Sequence, residues 1–173
     1  MKIRNTSSGF TVIEILVVVV IIAIAAMIAV PMMTSGASMQ IRSAANVIAG
    51  DLEYAKSMAI SRQNIYAVVF DKDNDSYQIE DPSYPIEDPD RIIDHPVKKG
   101  FKYLVSFRDD NRLNKVDIDT VDFDGNNKVS FDYLGSPYNG TGNPLNSGVI
   151  TLRAAGIPMT IHVEAVTGFI TIE

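Results

Sequence analysis

Residues 15–30 of this chain contain no polar side chain: ILVVVVIIAIAAMIAV. As a helix that stretch is apolar on every face, so it must be covered by lipid, by a large core or by other helices. A bilayer core of about 30 Å is crossed by roughly 20 mostly apolar helical residues. Residues 10–33 meet that length, with Thr11, Glu14 and Pro31 inside them. Lys2 and Arg4 precede the run, and the nearest acid is Glu14. The positive-inside tendency then keeps the N-terminus cytoplasmic and sends the C-terminal part across the membrane. A cleaved secretory signal fits less well, because its apolar core is usually about 7–15 residues and a small-residue cleavage site follows. Glu14 is the unexplained residue: a simple anchor gains nothing from a carboxylate at the mouth of the run.

A short basic leader, then Gly9-Phe10-Thr11-Val12-Ile13-Glu14, then a long apolar helix with Pro31 near its end, resembles the N-terminus of a type IV prepilin or pseudopilin. The resemblance rests on Gly9, Phe10, Thr11, Glu14 and Pro31, in residue type, order and spacing. It implies a leader at 1–9, removed by a membrane prepilin peptidase and methyltransferase. The cut falls between Gly9 and Phe10, and the new amine on Phe10 is N-methylated. Glu14 becomes the fifth mature residue. Positions i and i+4 share a helix face, so Glu14 can meet the ammonium of Phe10 on its own chain or on a neighbour. In the family this pair aligns an incoming subunit with the one before it. The plain alternative is a charge snorkelling to the headgroups. Pro31 removes a backbone donor and bends or breaks the helix, or marks the end of the membrane span.

Beyond Pro31 the pattern changes. In residues 34–64, Ile41, Ala45, Ile48, Leu52, Ala55 and Ala59 recur at helical spacing, which predicts an amphipathic helix with one narrow apolar stripe. Arg42, Glu53, Lys56 and Ser57 fall on its wetter faces, and Gly36 and Gly50 are soft spots. From residue 65 the period shortens. IYAVVF, SYQIE, FKYLVSF, KVSFDY, GVITLR, MTIHVE and GFITIE read as short strands separated by turn residues. DPSYPIEDPDRIIDHPV reads as a loop rather than an element. The expected fold is α+β. A long helix, with a transmembrane part at 10–33 and an amphipathic part at 34–64, packs on one mostly antiparallel sheet in a domain at 65–173. FDYLGSPYNGTG, GVITLR and IHVEAVTGFITIE, with the helix segment RSAANVIAGDLEYAKSMAISRQ and the strand YAVVF, resemble the GspH/FimT branch of minor pseudopilins and minor pilins.

The chemistry-bearing residues are sparse. The chain has 173 residues and no Cys, which excludes disulfides, thiol nucleophiles and cysteine metal sites. Asp71, Asp73 and Asp75 alternate like a calcium loop, but Ser76 and Pro82 stand where that loop needs Gly and Glu. A solvated turn is the expectation, with no metal or other cofactor. Asp124-Gly125 reads as a hairpin turn. His162, between Ile161 and Val163, is expected to face away from that apolar pair. His95 precedes a proline in a loop, and neither His has a catalytic partner at useful spacing, so no enzymatic role is expected.

Net charge is −6, which disfavours nucleic acid as a partner. The stretch KKGFKYLVSFRDDNRLNK offers Lys98, Lys99 and Lys102 beside Phe101, Tyr103 and Phe107, a pattern that can hold single strands. Its alternation predicts instead that the aromatics share a core-facing side. Some FimT-type minor pilins bind DNA through basic residues toward the C-terminus, whereas 137–173 holds Arg153 alone. The chain therefore reads as a GspH-like minor pseudopilin of a type II secretion pseudopilus, anchored in a bacterial inner membrane with a periplasmic domain. Its expected partners are other pseudopilins or pilins, the peptidase and membrane lipid. A FimT-like minor pilin of a type IV pilus, assisting DNA uptake, is the alternative.

Overall fold

A computed structural model describes the backbone of residues 11–173 and the side chains of 11–27 and 36–173. The expected leader at 1–9 and the expected new terminus at Phe10 lie outside the described residues. Helix α1 spans Val12–Arg62. The helical assignment runs through position 31 without a gap, so no element ends at Pro31, while the Pro31 side chain lies outside the described residues. The chain divides into two compact units, Met1–Gly36 and Ala37–Glu173.

In the second unit, α1 buries the stripe that its sequence predicts. Ile41, Ala45, Ile48, Leu52, Ala55 and Ala59 are fully buried, joined by Ala37, Ala44 and Met58. Small residues dominate the stripe, which lets the helix lie close to what it covers. Gly50 is exposed on the opposite side and the helix passes through it unbroken. Nine strands follow: β1 Tyr66–Asp71, β2 Ser76–Glu80, β3 Leu104–Ser106, β4 Asp117–Phe123, β5 Lys128–Phe131, β6 Pro137–Asn139, β7 Gly148–Ala154, β8 Ile157–Val163 and β9 Ile170–Ile172. All pairings are antiparallel.

Where one sheet is expected, there are two. One runs β3-β2-β1-β5-β6 and the other β4-β7-β8-β9. The turn at Asp124-Gly125 shows how they separate. Both residues have positive φ, 53° and 82°, and Phe123 and Asn126 exchange backbone hydrogen bonds at 2.9 and 3.2 Å. That is the left-handed two-residue turn expected of Asp-Gly. Yet β4 leaves it to pair with β7 and β5 to pair with β1 and β6. A bulge between Ile118 and Thr120 shifts the β4 register. A single buried cluster joins α1 to both sheets through Phe70, Tyr77, Phe107, Phe123, Phe131, Ile150, Leu152 and Ile161.

The segment read as a bare loop after β2 holds more order than expected. Pro89–Arg91 forms a 3-10 turn capped by the Asp88 carboxylate, and isolated bridges join Glu80 to Ile92 and Asp94 to Lys102. Arg91 Nε donates to Glu80 Oε2 at 2.8 Å, and both side chains are nearly covered. Backbone hydrogen bonds from Asp81 to Arg91 at 2.8 Å and from Ile93 to Ile79 at 3.1 Å hold this Pro- and Asp-rich segment against β2 beside that pair.

Candidate functional site

The described start of α1 shows how Thr11 and Glu14 are used locally. The Glu14 amide donates to the Thr11 carbonyl at 3.1 Å and to Thr11 Oγ1 at 3.3 Å. The Ile15 amide donates to the same carbonyl at 3.2 Å. Thr11 is therefore the N-cap and Glu14 the third helical residue, the T-x-x-E arrangement of a capping box. Sequence reasoning about Glu14 alone missed this, although the signal is legible in Thr11-Val12-Ile13-Glu14. Satisfying a free amide at the N-cap contributes about 1 kcal/mol. A carboxylate in the first turn adds about 0.3–1 kcal/mol through the helix dipole. Glu14 is exposed and so is available to an outside partner. The terminus it was expected to meet, Phe10, lies outside the described residues.

From residue 12 to residue 27 every side chain is exposed, and apart from Glu14 every one is apolar. Among the described residues no helix is long and apolar enough to cross a membrane. The expected span at 10–33 includes positions outside the described side chains.

The alternative nucleic-acid residues do not form one free basic face. Lys98 and Lys99 are exposed, but Lys102 Nζ lies 3.1 Å from both Asp90 Oδ1 and Asp94 Oδ1. Those carboxylates raise its pKa, the Asp90 hydrogen bond most. Arg108 is held by Asp75 at 2.8 Å and Arg112 by Asp110 at 2.7 Å. Tyr103 and Phe107 are buried as expected, while Phe101 is exposed against expectation. It precedes β3, where the alternation has not yet begun.

The acidic turn is not simply solvated. Asp71 accepts from the Asp73 and Asn74 amides and from Asn74 Nδ2, a self-contained turn. Asp75 is buried and has φ of 48°. It accepts from Arg108 Nε at 2.9 Å and from the Ile118 amide at 3.0 Å. It thus ties the β1–β2 turn to β4. Among the described residues no group of three or more His, Asp or Glu is placed to hold a metal ion.

His162 lies between buried Ile161 and Val163 and is itself half-exposed, on the opposite face as expected. Its Nε2 is 3.6 Å from Glu173 Oε2. His95 stacks on Tyr103 at 4.8 Å. Tyr103 and Tyr77 both donate to Asp51 on α1, at 2.8 and 2.5 Å. Burial pushes the Asp51 carboxyl above its ordinary range against those hydrogen bonds, and pushes the Tyr77 and Tyr103 hydroxyls up as well. Sequence reasoning missed Asp51 because its partners are 26 and 52 residues away. The group fastens the helix to the sheet. Lys56, expected on a wet face, is largely covered and donates to the Gly168 carbonyl at 2.9 Å.

The family described as "Prokaryotic N-terminal methylation motif" matches residues 4–30. No curated protein matches the chain. Among solved structures, the chain is similar to the type IV minor pilin FimU of Pseudomonas aeruginosa strain PAO1. The TM-score is 0.49 at 15% identity, over 76% of this chain and 91% of FimU. It is also similar to EpsH, the minor pseudopilin of the Type 2 Secretion System of Vibrio cholerae, with a TM-score of 0.49 at 8% identity over 76% of this chain and 94% of EpsH. Through residues 4–30, with the capped helix start at Thr11 and Glu14 inside them, the chain carries the prokaryotic N-terminal methylation motif.

Proposed function

We propose that the chain is a structural subunit of a pilin-like filament, a GspH-like minor pseudopilin of a type II secretion pseudopilus. A prepilin peptidase cuts it between Gly9 and Phe10 and the Phe10 amine is methylated. It is held in the bacterial inner membrane, N-terminus cytoplasmic and domain periplasmic, until it joins the filament. The observation that carries this is the exposed helix of residues 12–27, apolar at every position but Glu14, directly inside the methylation motif. Such a surface is stable only under lipid or against other helices, and a filament subunit passes from one to the other.

Glu14 then sets register. An unpaired carboxylate in a membrane helix costs about 2.5–3.5 kcal/mol at the centre and less near the end. Two unit charges about 4 Å apart attract by about 4 kcal/mol at an effective dielectric near 20. The terms are comparable, so pairing with a neighbour's N-terminal ammonium decides where the subunit docks. Glu14→Leu removes the desolvation cost and the partner together. It leaves membrane insertion and cleavage intact and weakens incorporation. The chain has no native Cys, so engineered single-cysteine crosslinking to filament neighbours, with membrane fractionation alongside, reads both. Wild-type crosslinking by the Leu variant contradicts the register role.

The exposed trio of Lys98, Lys99 and Phe101 favours a second reading, a FimT-like minor pilin that assists DNA uptake. A salt-sensitive affinity for DNA in the micromolar range, lost in Lys98→Ala/Lys99→Ala, would promote it.

A further inference from the structure

Two tight turns meet on the Lys56 and Ile60 side of α1: the β5–β6 turn at residues 132–136 and the β8–β9 turn at 164–169. Gly135 and Gly168 are the meeting point, with φ of 85° and 58°. A Cβ at Gly168 would stand 2.9 Å from the Gly135 carbonyl, and one at Gly135 would stand 3.0 Å from Ile60 Cδ1. Lys56 closes the junction, its Nζ 2.9 Å from both the Gly168 carbonyl and Glu53 Oε1.

This junction presents apolar side chains to solvent. Ile60, Tyr133, Leu134, Val166 and Phe169 are between 45% and 78% exposed. Val166, the most exposed, is β-branched and yet has φ of 69°, a conformation such residues rarely adopt. The turn's own backbone hydrogen bonds, Glu164 N to Phe169 O at 2.9 Å and Gly168 N to Glu164 O at 3.0 Å, hold it there without burial, and such held strain clusters at functional segments. Together the five side chains expose on the order of 500 Å², as large as the biggest patches on ordinary monomers. That is more than half of the roughly 800 Å² per partner in a stable interface.

Charge decides the occupant. Asp132 and Glu164 lie in the two turns that carry the apolar centre, and Lys56 is paired with Glu53 within the junction. Removing Lys2, Arg4 and Glu14, which precede it, leaves Ala37–Glu173 with 13 basic and 20 acidic residues, a net −7. A second copy would set acid against acid. We propose that this face docks a different filament subunit, one whose surface has an aliphatic or aromatic centre framed by lysine and arginine. The proposal rests on the filament-subunit reading above.

The test uses the full chain in cells that assemble it, with a photo-crosslinking residue at Leu134 and, separately, at Leu16. The expected product at Leu134 joins the chain to a second, different polypeptide that also carries an N-terminal methylation motif and has a basic surface. Val166→Asn is the second variant, because Asn accepts positive φ. It is expected to cut the Leu134 crosslink by about tenfold or more while the melting temperature of the purified chain stays level or rises. A merely structural Val166 would lower the melting temperature or leave the crosslink unchanged, and either result overturns the proposal. Crosslinks from Leu134 only to a second copy, to lipid or to nothing, with Leu16 still reaching a neighbour, also overturn it and leave the filament reading standing. If neither position reaches a neighbour, both fail.

Discussion

The two described stretches of α1 share one secondary structure and have opposite surroundings. Over residues 12–27 every side chain is exposed and all but Glu14 are apolar. From Ala37 onward one stripe of apolar residues at third- and fourth-residue spacing, Ile41 to Ala59, is buried under two sheets, while Met39 and Ile60 off that stripe are exposed. Helix propensity does not separate them in the expected direction. Val17 to Val20, Ile21 and Ile22 are β-branched and lower helix stability in water, while the buried stretch is rich in Ala. On the proposed membrane placement, what holds a Val-rich segment helical is the absence of water, since in hydrocarbon the backbone has no partner but itself. The second stretch owes its helix to the domain that packs on its stripe.

The largest effect that would break or sharpen this contrast comes from placing the same charge in each stretch. Ile48→Asp buries an unpaired carboxylate in the core and is expected to abolish cooperative unfolding of the domain. Ile21→Asp is expected to leave domain unfolding as in the parent and to impair membrane retention and assembly instead. Tyrosine fluorescence against urea, with the full chain in detergent, reports this, since the chain has no Trp. The gentler pair follows. Ile48→Ala is expected to cost about 2–5 kcal/mol and Ile21→Ala under about 0.5 kcal/mol.

A middle-sized effect is expected at the β1–β2 turn. Asp75→Ala leaves the buried Ile118 amide without its acceptor, at about 1–3 kcal/mol, while the exposed Arg108 keeps the Asp73 carbonyl. A urea midpoint equal to the parent's would mean that Asp75 does not tie β4 down.

The smallest effect is a pH dependence confined to the packed stretch. Burial raises the Asp51 carboxyl above its ordinary 3.8, so folding favours its protonated form. That contribution is complete below about 3.8 and is lost as pH rises through the raised value. Asp110, held at about 2 by the Arg112 hydrogen bond, acts in the opposite sense and is lost only as pH falls through that value. Asp51→Asn cannot ionise, so its urea midpoint should decline less than the parent's between acid and neutral pH. Parallel profiles would remove Asp51 from the account.

Much of the contrast was legible in the residues. The stripe from Ile41 to Ala59 is buried as its spacing predicts, and the apolar run announces itself. The methylation motif was readable because its residues are adjacent in sequence. β4 was not, because DIDTVDF places Asp at Asp117, Asp119 and Asp122, which hides an edge strand behind polar composition. The second sheet was hidden for a related reason. Asp124-Gly125 signals a turn but cannot say that the strands it joins pair elsewhere. Asp51, Asp75 and the Gly135–Gly168 junction were invisible, since each is defined by partners far along the chain.

The central claim is that residues 12–27 are the assembly helix of a processed, prepilin-like subunit. Intact-mass analysis of the protein extracted from membranes with active prepilin peptidase tests it most directly. The account predicts a chain that begins at Phe10, carries one added methyl on its amine, and reverts to full length in Gly9→Val. A mature protein that keeps residues 1–9, or begins at Phe10 without the methyl, would contradict it.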